Sequence, residues 1–149
     1  MAEPLQALSV NRTIPTVVGF TAFLDESLDA SNTDAVIVYG TVITNVGNAY
    51  DPQTGIFTAP VGGLYSFSFS GATWTQTDLK QELHMNKKRV TTIYGSGGGR
   101  FVAASKSITL QLNQGDTVYV VIKKESSAFE NRDYKKNHNT FSGFLLYPL

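Results

Sequence analysis

The chain has 149 residues, no cysteine and a formal net charge of zero, with 42% hydrophobic and 16% charged residues. This length suits one domain with a buried core. The lack of cysteine excludes disulfides, a thiol nucleophile and a cysteine-based zinc site. No apolar run reaches the length of a membrane-spanning helix, so we expect no membrane insertion. The small share of charged residues indicates that another chain covers part of the surface.

Residues 1–16 are predicted to be an N-terminal extension and residues 17–149 a single domain. The extension lacks the charged start and apolar block of a secretory signal. Either a signal was removed, or the protein is cytosolic. Charge is uneven along the chain, because one basic and seven acidic residues precede Lys80, whereas 11 basic and five acidic residues lie from Lys80 onward. Positive charge is therefore expected on strands and loops of the second half.

Short segments of alternating polar and apolar residues, separated by Gly, Pro, Asn or Asp, predict a succession of strands. The predicted strands span residues 17–24, 35–44, 56–58, 65–69, 79–85, 90–94, 108–112, 117–122 and 141–147. Many short strands at such spacing indicate an all-β sandwich or barrel.

Residues 50–67 concentrate turn chemistry between large aromatic side chains. Pro52 and Gly55 predict one reversal before the strand at 56–58, since proline fixes φ and glycine permits a left-handed conformation. Pro60 and the following glycines predict a second reversal before the strand at 65–69. The turn residues 113–116 similarly predict a hairpin that joins the strands at 108–112 and 117–122.

Residues 78–90 fit two kinds of secondary structure. Helix formers with an acidic start and a basic end favour a helix, whereas Leu83 and Met85 fit the alternation of a strand. The all-β pattern around the segment favours the strand.

Three predicted strands are apolar on both faces, at residues 35–39, 118–122 and 144–147. A strand of a sandwich needs only one apolar face. The second face is covered either by a loop of the same chain or by another subunit, and the low charge content favours a subunit interface.

The chain resembles the C1q globular domain over about residues 17–149. Five ordered motifs carry the resemblance: Phe20-Thr21-Ala22-Phe23, the run from Thr44 to Asp51, the series Thr54-Gly55, Phe57, Pro60, Gly63, Tyr65 and Phe67, the step Gly115-Asp116-Thr117-Val118, and the closing Phe141 to Leu146. The closing Phe-Ser-Gly-Phe-Leu-Leu separates the chain from tumour-necrosis-factor-like relatives of the same fold.

The resemblance implies a ten-stranded jelly roll that assembles as a compact homotrimer. It also implies a secreted, extracellular binding module without enzymatic activity. Because the chain has no collagen-like Gly-X-Y region, it resembles the head-only type that is common in invertebrates. Some relatives bind calcium through acidic loop residues near the trimer axis. The aligned stretch, residues 86–96, contains no Asp or Glu. We therefore expect no cofactor and no calcium site of that kind.

Two basic segments are candidate ligand-binding sites. The first is Lys87, Lys88 and Arg89, and the second contains Arg132, Tyr134, Lys135, Lys136 and His138. Lys and Arg pair with phosphate or carboxylate, and a tyrosine beside them can stack on a sugar ring. In a trimer each segment occurs three times, so weak contacts gain avidity. The alternative is that both segments are ordinary solubilising loop charges.

Other residues leave further binding chemistry open. Asn131, Asn137 and Asn139 suit the hydroxyls of neutral sugars, and Trp74 is either a loop contact or a buried side chain. The two histidines have no thiol partner or recognisable nucleophile, which disfavours an enzyme. Zero net charge without a basic stripe disfavours a nucleic-acid partner.

The sequence therefore predicts a trimeric pattern-recognition protein of innate immunity. Its predicted partners are copies of itself and microbial polysaccharides such as lipopolysaccharide or peptidoglycan. The alternatives are a trimeric ligand for a receptor protein and an extracellular structural component.

Overall fold

Two antiparallel sheets face each other in the computed structural model, which describes residues 16–74, 76–130 and 137–149. The strands are β1 (Gly19–Phe23), β2 (Leu28–Ala30), β3 (Ala35–Val36), β4 (Thr41–Val46), β5 (Tyr50–Asp51), β6 (Ile56–Thr58), β7 (Gly63–Thr73), β8 (Leu79–Met85), β9 (Lys88–Gly95), β10 (Val102–Leu112), β11 (Thr117–Ile122), β12 (Ser126–Ala128) and β13 (Thr140–Pro148). The described residues contain no helix.

The five-stranded sheet has the order β10-β7-β13-β1-β4, and the six-stranded sheet has the order β5-β6-β11-β8-β9, with β3 paired to β11. These two paths contain ten strands in the arrangement of a jelly-roll sandwich, which confirms the predicted fold. The short strands β2 and β12 form a separate pair.

The core between the sheets is built from aromatic rings, as the ring-rich stretch around residues 50–67 predicts. Phe20 stacks on Tyr50 at 4.9 Å between ring centroids and meets Phe141 edge-on, also at 4.9 Å. Phe57 meets Phe67 edge-on at 5.1 Å. Offset and edge-on ring pairs are favourable beyond the area that they bury.

Burial also fixes the hydroxyl of Tyr50. It donates a hydrogen bond of 2.8 Å to the carbonyl of Tyr39 and accepts one of 3.0 Å from the Tyr39 N–H. Removal from water raises the pKa of Tyr50 to about 12.

Residues 78–90, whose sequence fits both a helix and a strand, contain no helix and include strand β8. Leu79–Met85 forms β8 between β11 and β9, with Leu79, Gln81 and Leu83 fully buried toward the core. Period-two burial is the property of a half-buried strand.

The predicted hairpin between the strands at 108–112 and 117–122 is wrong, because those strands lie in different sheets. Strand β10 pairs with β7, whereas β11 pairs with β6 and β8. The turn does form, with Gly115 at φ +91°. It is anchored on Ala59, whose carbonyl accepts from the Gly115 N–H and whose N–H donates to the Asp116 carbonyl, both at 2.8 Å. The turn therefore crosses between the sheets.

The single strand predicted at residues 35–44 is also wrong, because it is two strands in different sheets. Strand β3 joins the six-stranded sheet and β4 joins the five-stranded sheet. Between them Ile37 and Tyr39 are buried in the core. The connection crosses from one sheet to the other, which the mostly apolar sequence of residues 35–44 conceals.

The predicted subunit interface at Val118–Ile122 is wrong, since the chain covers this strand itself. Val118, Val120 and Ile122 are buried in the core and Val121 is 8% exposed on the other face. On that face Tyr119 stacks on His84 at 5.6 Å. The alternative explanation, cover by the same chain, therefore holds for β11.

Candidate functional site

The sandwich has two ends with different loops. At the first end, the β8–β9 turn contacts the β10–β11 turn, where Asn86 Nδ2 donates to Asp116 Oδ1 at 3.0 Å. The C-terminal Leu149 lies beside Gly62, which directly precedes β7. We call this the terminal end. The opposite, loop end carries Trp74, Phe101 and His138.

The first basic segment is an exposed turn at the terminal end. Asn86 and Lys87 have φ values of 50° and 70°, which fits the two-residue turn that favours tight hairpins. Lys87, Lys88 and Arg89 are all exposed. A carboxylate oxygen of Glu82 lies 3.9 Å from an Arg89 nitrogen.

Of the second basic segment, the structure describes only His138, which lies at the loop end. Arg132, Tyr134, Lys135, Lys136 and Asn131 lie outside the described residues. His138 is described, and its ring lies 5.1 Å from that of Phe101. Its carbonyl accepts from Ser70 Oγ at 2.8 Å, near the end of β7. Since β8 runs from that end of β7 to the β8–β9 turn, His138 lies at the opposite end of the sandwich from Lys87, Lys88 and Arg89.

Asn139 is structural. It is fully buried, and its Oδ1 accepts from the Ala72 N–H at 3.0 Å while Nδ2 donates to the Phe129 carbonyl at 2.8 Å. This side chain is therefore unavailable for the sugar contact that the sequence left open.

Trp74 belongs to an exposed aromatic cluster at the loop end. Its side chain is 60% exposed, and its ring contacts Phe101 at 5.5 Å and Phe129 at 6.3 Å. The structure thus decides against a buried tryptophan. Three different loops contribute these rings, so the sequence could not group them.

The outer face of the five-stranded sheet has no charged row. A row of hydroxyl side chains crosses all five strands: Ser107, Ser68, Ser142, Thr21 and Thr44. Beside it lies the apolar patch, which we define as Val17, Val46, Phe144, Leu146 and Tyr147, all exposed. The five strands contain one charged residue, Lys106, whose Nζ donates to Thr91 Oγ1 of the other sheet at 3.0 Å.

The outer face of the six-stranded sheet is highly charged. Glu82 lies near its middle, with Oε1 2.9 Å from His84 Nε2 and 3.7 Å from Lys123 Nζ. Lys123 also donates to Asp34 Oδ2 at 2.7 Å, and the Lys124 N–H donates to Asp34 Oδ1 at 2.8 Å. These two contacts lower the pKa of Asp34, and the Asp34 contact raises the pKa of Lys123.

A groove of about 650 Å³ runs over this charged face. We call it the Tyr94 groove, and its wall includes Asp34, Lys80, Glu82, Tyr94, Lys123 and Lys124. Its volume lies within the range of small-molecule sites. Sequence reasoning missed it, because its residues come from four separate stretches and only sheet register brings them together.

Tyr94 has a fixed orientation although its side chain is 62% exposed. Its hydroxyl donates to Asp78 Oδ2 at 3.1 Å, and Asp78 Oδ1 accepts from the Gly97 N–H at 2.8 Å. The Gly97 N–H and then the Tyr94 hydroxyl lower the pKa of Asp78, so this carboxylate stays ionised. A ring held in this way presents a flat apolar face to the groove.

The described residues contain neither a metal-binding cluster nor a membrane-spanning helix. No group of three or more His, Cys, Asp or Glu side chains there is placed to hold a metal ion. That same part of the chain has no helix with the length and apolarity needed to cross a membrane.

Solved structures share this jelly roll. The globular domain of zebrafish complement 1qA matches with a TM-score of 0.69 and 18% identity, over 89% of this chain and 99% of that domain. Murine APRIL matches with a TM-score of 0.66 and 14% identity, over 90% of this chain and all of the other. These likenesses show the fold, which is that of the C1q and tumour necrosis factor class.

Sequence comparison specifies the family within that class. The C1q domain family model matches residues 19–146, and the chain belongs to this family. Mouse complement C1q tumor necrosis factor-related protein 6 is 30% identical over 120 residues, which are 80% of this chain and 46% of the relative. Mouse related protein 1 is 29% identical over 75% of this chain and 40% of the relative. The chain thus spans less than half the length of these relatives.

Membership confirms the C1q resemblance. Domains of the C1q and tumour necrosis factor class form homotrimers and are ligands or recognition proteins without enzymatic activity. The prediction that this chain is not an enzyme is confirmed through the family to which it belongs. The basic segments stay predictions.

Proposed function

We propose that this chain forms an extracellular homotrimer that recognises surface glycans of microbes by multivalent contact. The apolar patch carries the trimer part of this proposal. Phe144 and Leu146, near the end of β13, are 50% and 48% exposed in the single chain. An uncharged face with large exposed apolar side chains is typical of an interface between permanent partners.

The trimer proposal assigns different roles to the two outer faces. The five-stranded sheet meets the other copies through the apolar patch and the hydroxyl row. The charged outer face of the six-stranded sheet lies on the opposite side of the sandwich, so it stays in contact with solvent. Three copies of each exposed binding site then act together, which converts weak single contacts into strong binding to a repetitive surface.

The charges suit acidic glycans. The exposed cations Lys87, Lys88 and Arg89 occupy one end of the six-stranded sheet, and Lys80 and Lys124 line the Tyr94 groove near the other. We propose that carboxylates or phosphates of the glycan meet these cations, and that binding needs no calcium. Such binding weakens as salt rises, because exposed charges are screened.

A microbial-polysaccharide array tests the proposal. The purified protein is applied in low and high salt, with calcium and with chelator. We expect binding to acidic glycans in both calcium and chelator, and weaker binding in high salt. Loss of binding in chelator would show a metal requirement, and silence over the whole array would refute glycan recognition.

A receptor-binding ligand is the second candidate, favoured by the aromatic cluster at the loop end. Exposed aromatic side chains are frequent energetic centres of protein interfaces. Trp74→Ala should then abolish capture of a cell-surface receptor while it leaves trimer formation and glycan binding intact. Phe101→Ala tests the neighbouring ring of the same cluster. Equal receptor capture by both variants and the parent would exclude this role for the cluster.

A further inference from the structure

We propose that the Tyr94 groove binds an acidic saccharide segment of about two sugar units, with one ring on Tyr94 and a carboxylate at Lys80 and Lys124. This inference rests on the proposed glycan recognition and places it at a site that the sequence did not indicate.

Sheet register aligns the central residues of the groove. Lys80 pairs with Tyr94 on the neighbouring strand, and its carbonyl accepts from the Lys123 N–H at 3.0 Å on the other side. The adjoining Leu79, Ile93 and Ile122 are buried in the core. Because side chains alternate along a strand, Tyr94, Lys80 and Lys123 all belong to the outer face.

Tyr94, Lys80 and Lys123 form a row across three neighbouring backbone segments, and this row has about the length of a short saccharide. Adjacent strands are separated by about 4.8 Å, so the backbones at Tyr94 and Lys123 are about 10 Å apart. Two linked pyranose rings cover about this distance. The volume of about 650 Å³ leaves room for ordered water around such a segment.

The cations of the groove differ in availability. Lys123 forms ion pairs with Asp34 and Glu82, which satisfy its charge. Among the described residues, Lys80 and Lys124 form no ion pair. These two ammonium groups are therefore available to a carboxylate of the ligand. Lys123 instead holds Asp34 and Glu82 in place in the wall of the groove.

The carboxylates in the wall select against a dense polyanion. Asp34, Glu82 and Glu125 all line the groove, and they would repel a chain with a phosphate on every unit. A sugar acid has one charge per ring and many hydroxyls, which donate to carboxylates and accept from amides. Tyr94 supplies the apolar surface on which the face of a sugar ring stacks.

Calorimetric titration with tri-galacturonate tests this inference, with the methyl-esterified trisaccharide and inorganic tripolyphosphate as comparison ligands. We expect tri-galacturonate to bind most tightly, and Tyr94→Ala to weaken its binding about tenfold through loss of the stacking surface. The double variant Lys80→Gln, Lys124→Gln should lower the affinity to that of the methyl ester.

Matched controls separate stacking from other effects. Tyr94→Phe keeps the ring and should bind within about threefold of the parent, which amounts to less than one kcal/mol. Lys106→Gln removes an exposed cation from the other sheet and should bind like the parent. Each variant is checked by its thermal midpoint, so that a folding defect is not taken for a binding defect.

Several results would overturn the groove assignment. They are failure of tri-galacturonate to bind, tighter binding of tripolyphosphate, or parent-like affinity of Tyr94→Ala. If glycan binding on the array persists in Tyr94→Ala but is lost in Lys87→Ala, Lys88→Ala, the groove is wrong and glycan recognition stands. If the parent binds no glycan on the array or in solution, both proposals fail.

Discussion

Replacement of Phe144 by Asp should dissociate the proposed trimer without unfolding the subunit. Phe144 is half exposed in the single chain, which leaves about 100 Å² of a ring of about 200 Å² to be covered by another copy. At about 25 cal/mol per Å², covering it stabilises the trimer by about 2.5 kcal/mol per protomer. Three protomers lose about 7.5 kcal/mol together, which weakens trimer association by about five powers of ten.

Sedimentation velocity over a dilution series from micromolar to nanomolar measures this change. The parent should sediment as a trimer, and Phe144→Asp as a folded monomer with the parent's far-ultraviolet circular dichroism. Tyr94→Ala is the matched control, since it removes an exposed aromatic ring from the opposite sheet and should stay trimeric. A monomeric parent at micromolar concentration, or a Phe144→Asp trimer as tight as the parent, would refute the interface.

Three further substitutions test single features of the fold. Gly143→Ala should destabilise the chain by about 1–3 kcal/mol in urea denaturation, because the added Cβ would lie 2.5 Å from a ring carbon of Phe67. Asn139→Leu should cost about 2–4 kcal/mol in the same assay, since the buried Ala72 N–H and the part-buried Phe129 carbonyl lose their partners. Asp34→Asn should lower the thermal midpoint at neutral pH, because Lys123 holds the pKa of Asp34 below its usual 3.8. A depressed folded-state pKa stabilises above the unfolded value, so the difference from the parent should shrink as the pH falls below about 3.8 and vanish once the pH is below the lower folded-state pKa of Asp34. If any of the three variants is as stable as the parent in its assay, the contact that the substitution removes or disturbs does not contribute as described.

Local patterns in the sequence predicted the strands but not all of their partners. Alternation around Phe67 identified β7, since period two determines which side chains are buried. The segment that forms β8 fitted a helix or a strand by its own pattern, and the all-β pattern around it favoured the strand. The turn at Gly115 was also correctly placed. A glycine-containing turn has the same sequence whether it joins neighbours in one sheet or crosses to the other. The pairing of strands that are distant in the sequence decides whether the turn joins neighbours or crosses between sheets. A single sequence does not reveal that pairing.

The candidate sites were harder to predict for the same reason. The basic turn at Lys87–Arg89 could be proposed as a candidate because its residues are adjacent in the sequence. The Tyr94 groove combines Asp34, Lys80, Tyr94 and Lys123 through register across three strands and one loop. In the sequence Lys80 and Tyr94 look like ordinary exposed residues of two strands.

The two proposals together make a final prediction, because trimer formation and groove binding use opposite faces. Phe144→Asp leaves the groove unchanged, so the monomer should bind soluble tri-galacturonate with the parent's affinity. On a surface densely coated with the same saccharide, the monomer should bind about a hundredfold or more weakly, since it loses the effective concentration that linked sites provide. Surface plasmon resonance at low and high saccharide density compares the two proteins. If the soluble affinity falls with the trimer, the binding site includes residues of a second protomer. If the monomer holds the dense surface as well as the parent, multivalency is not the basis of recognition.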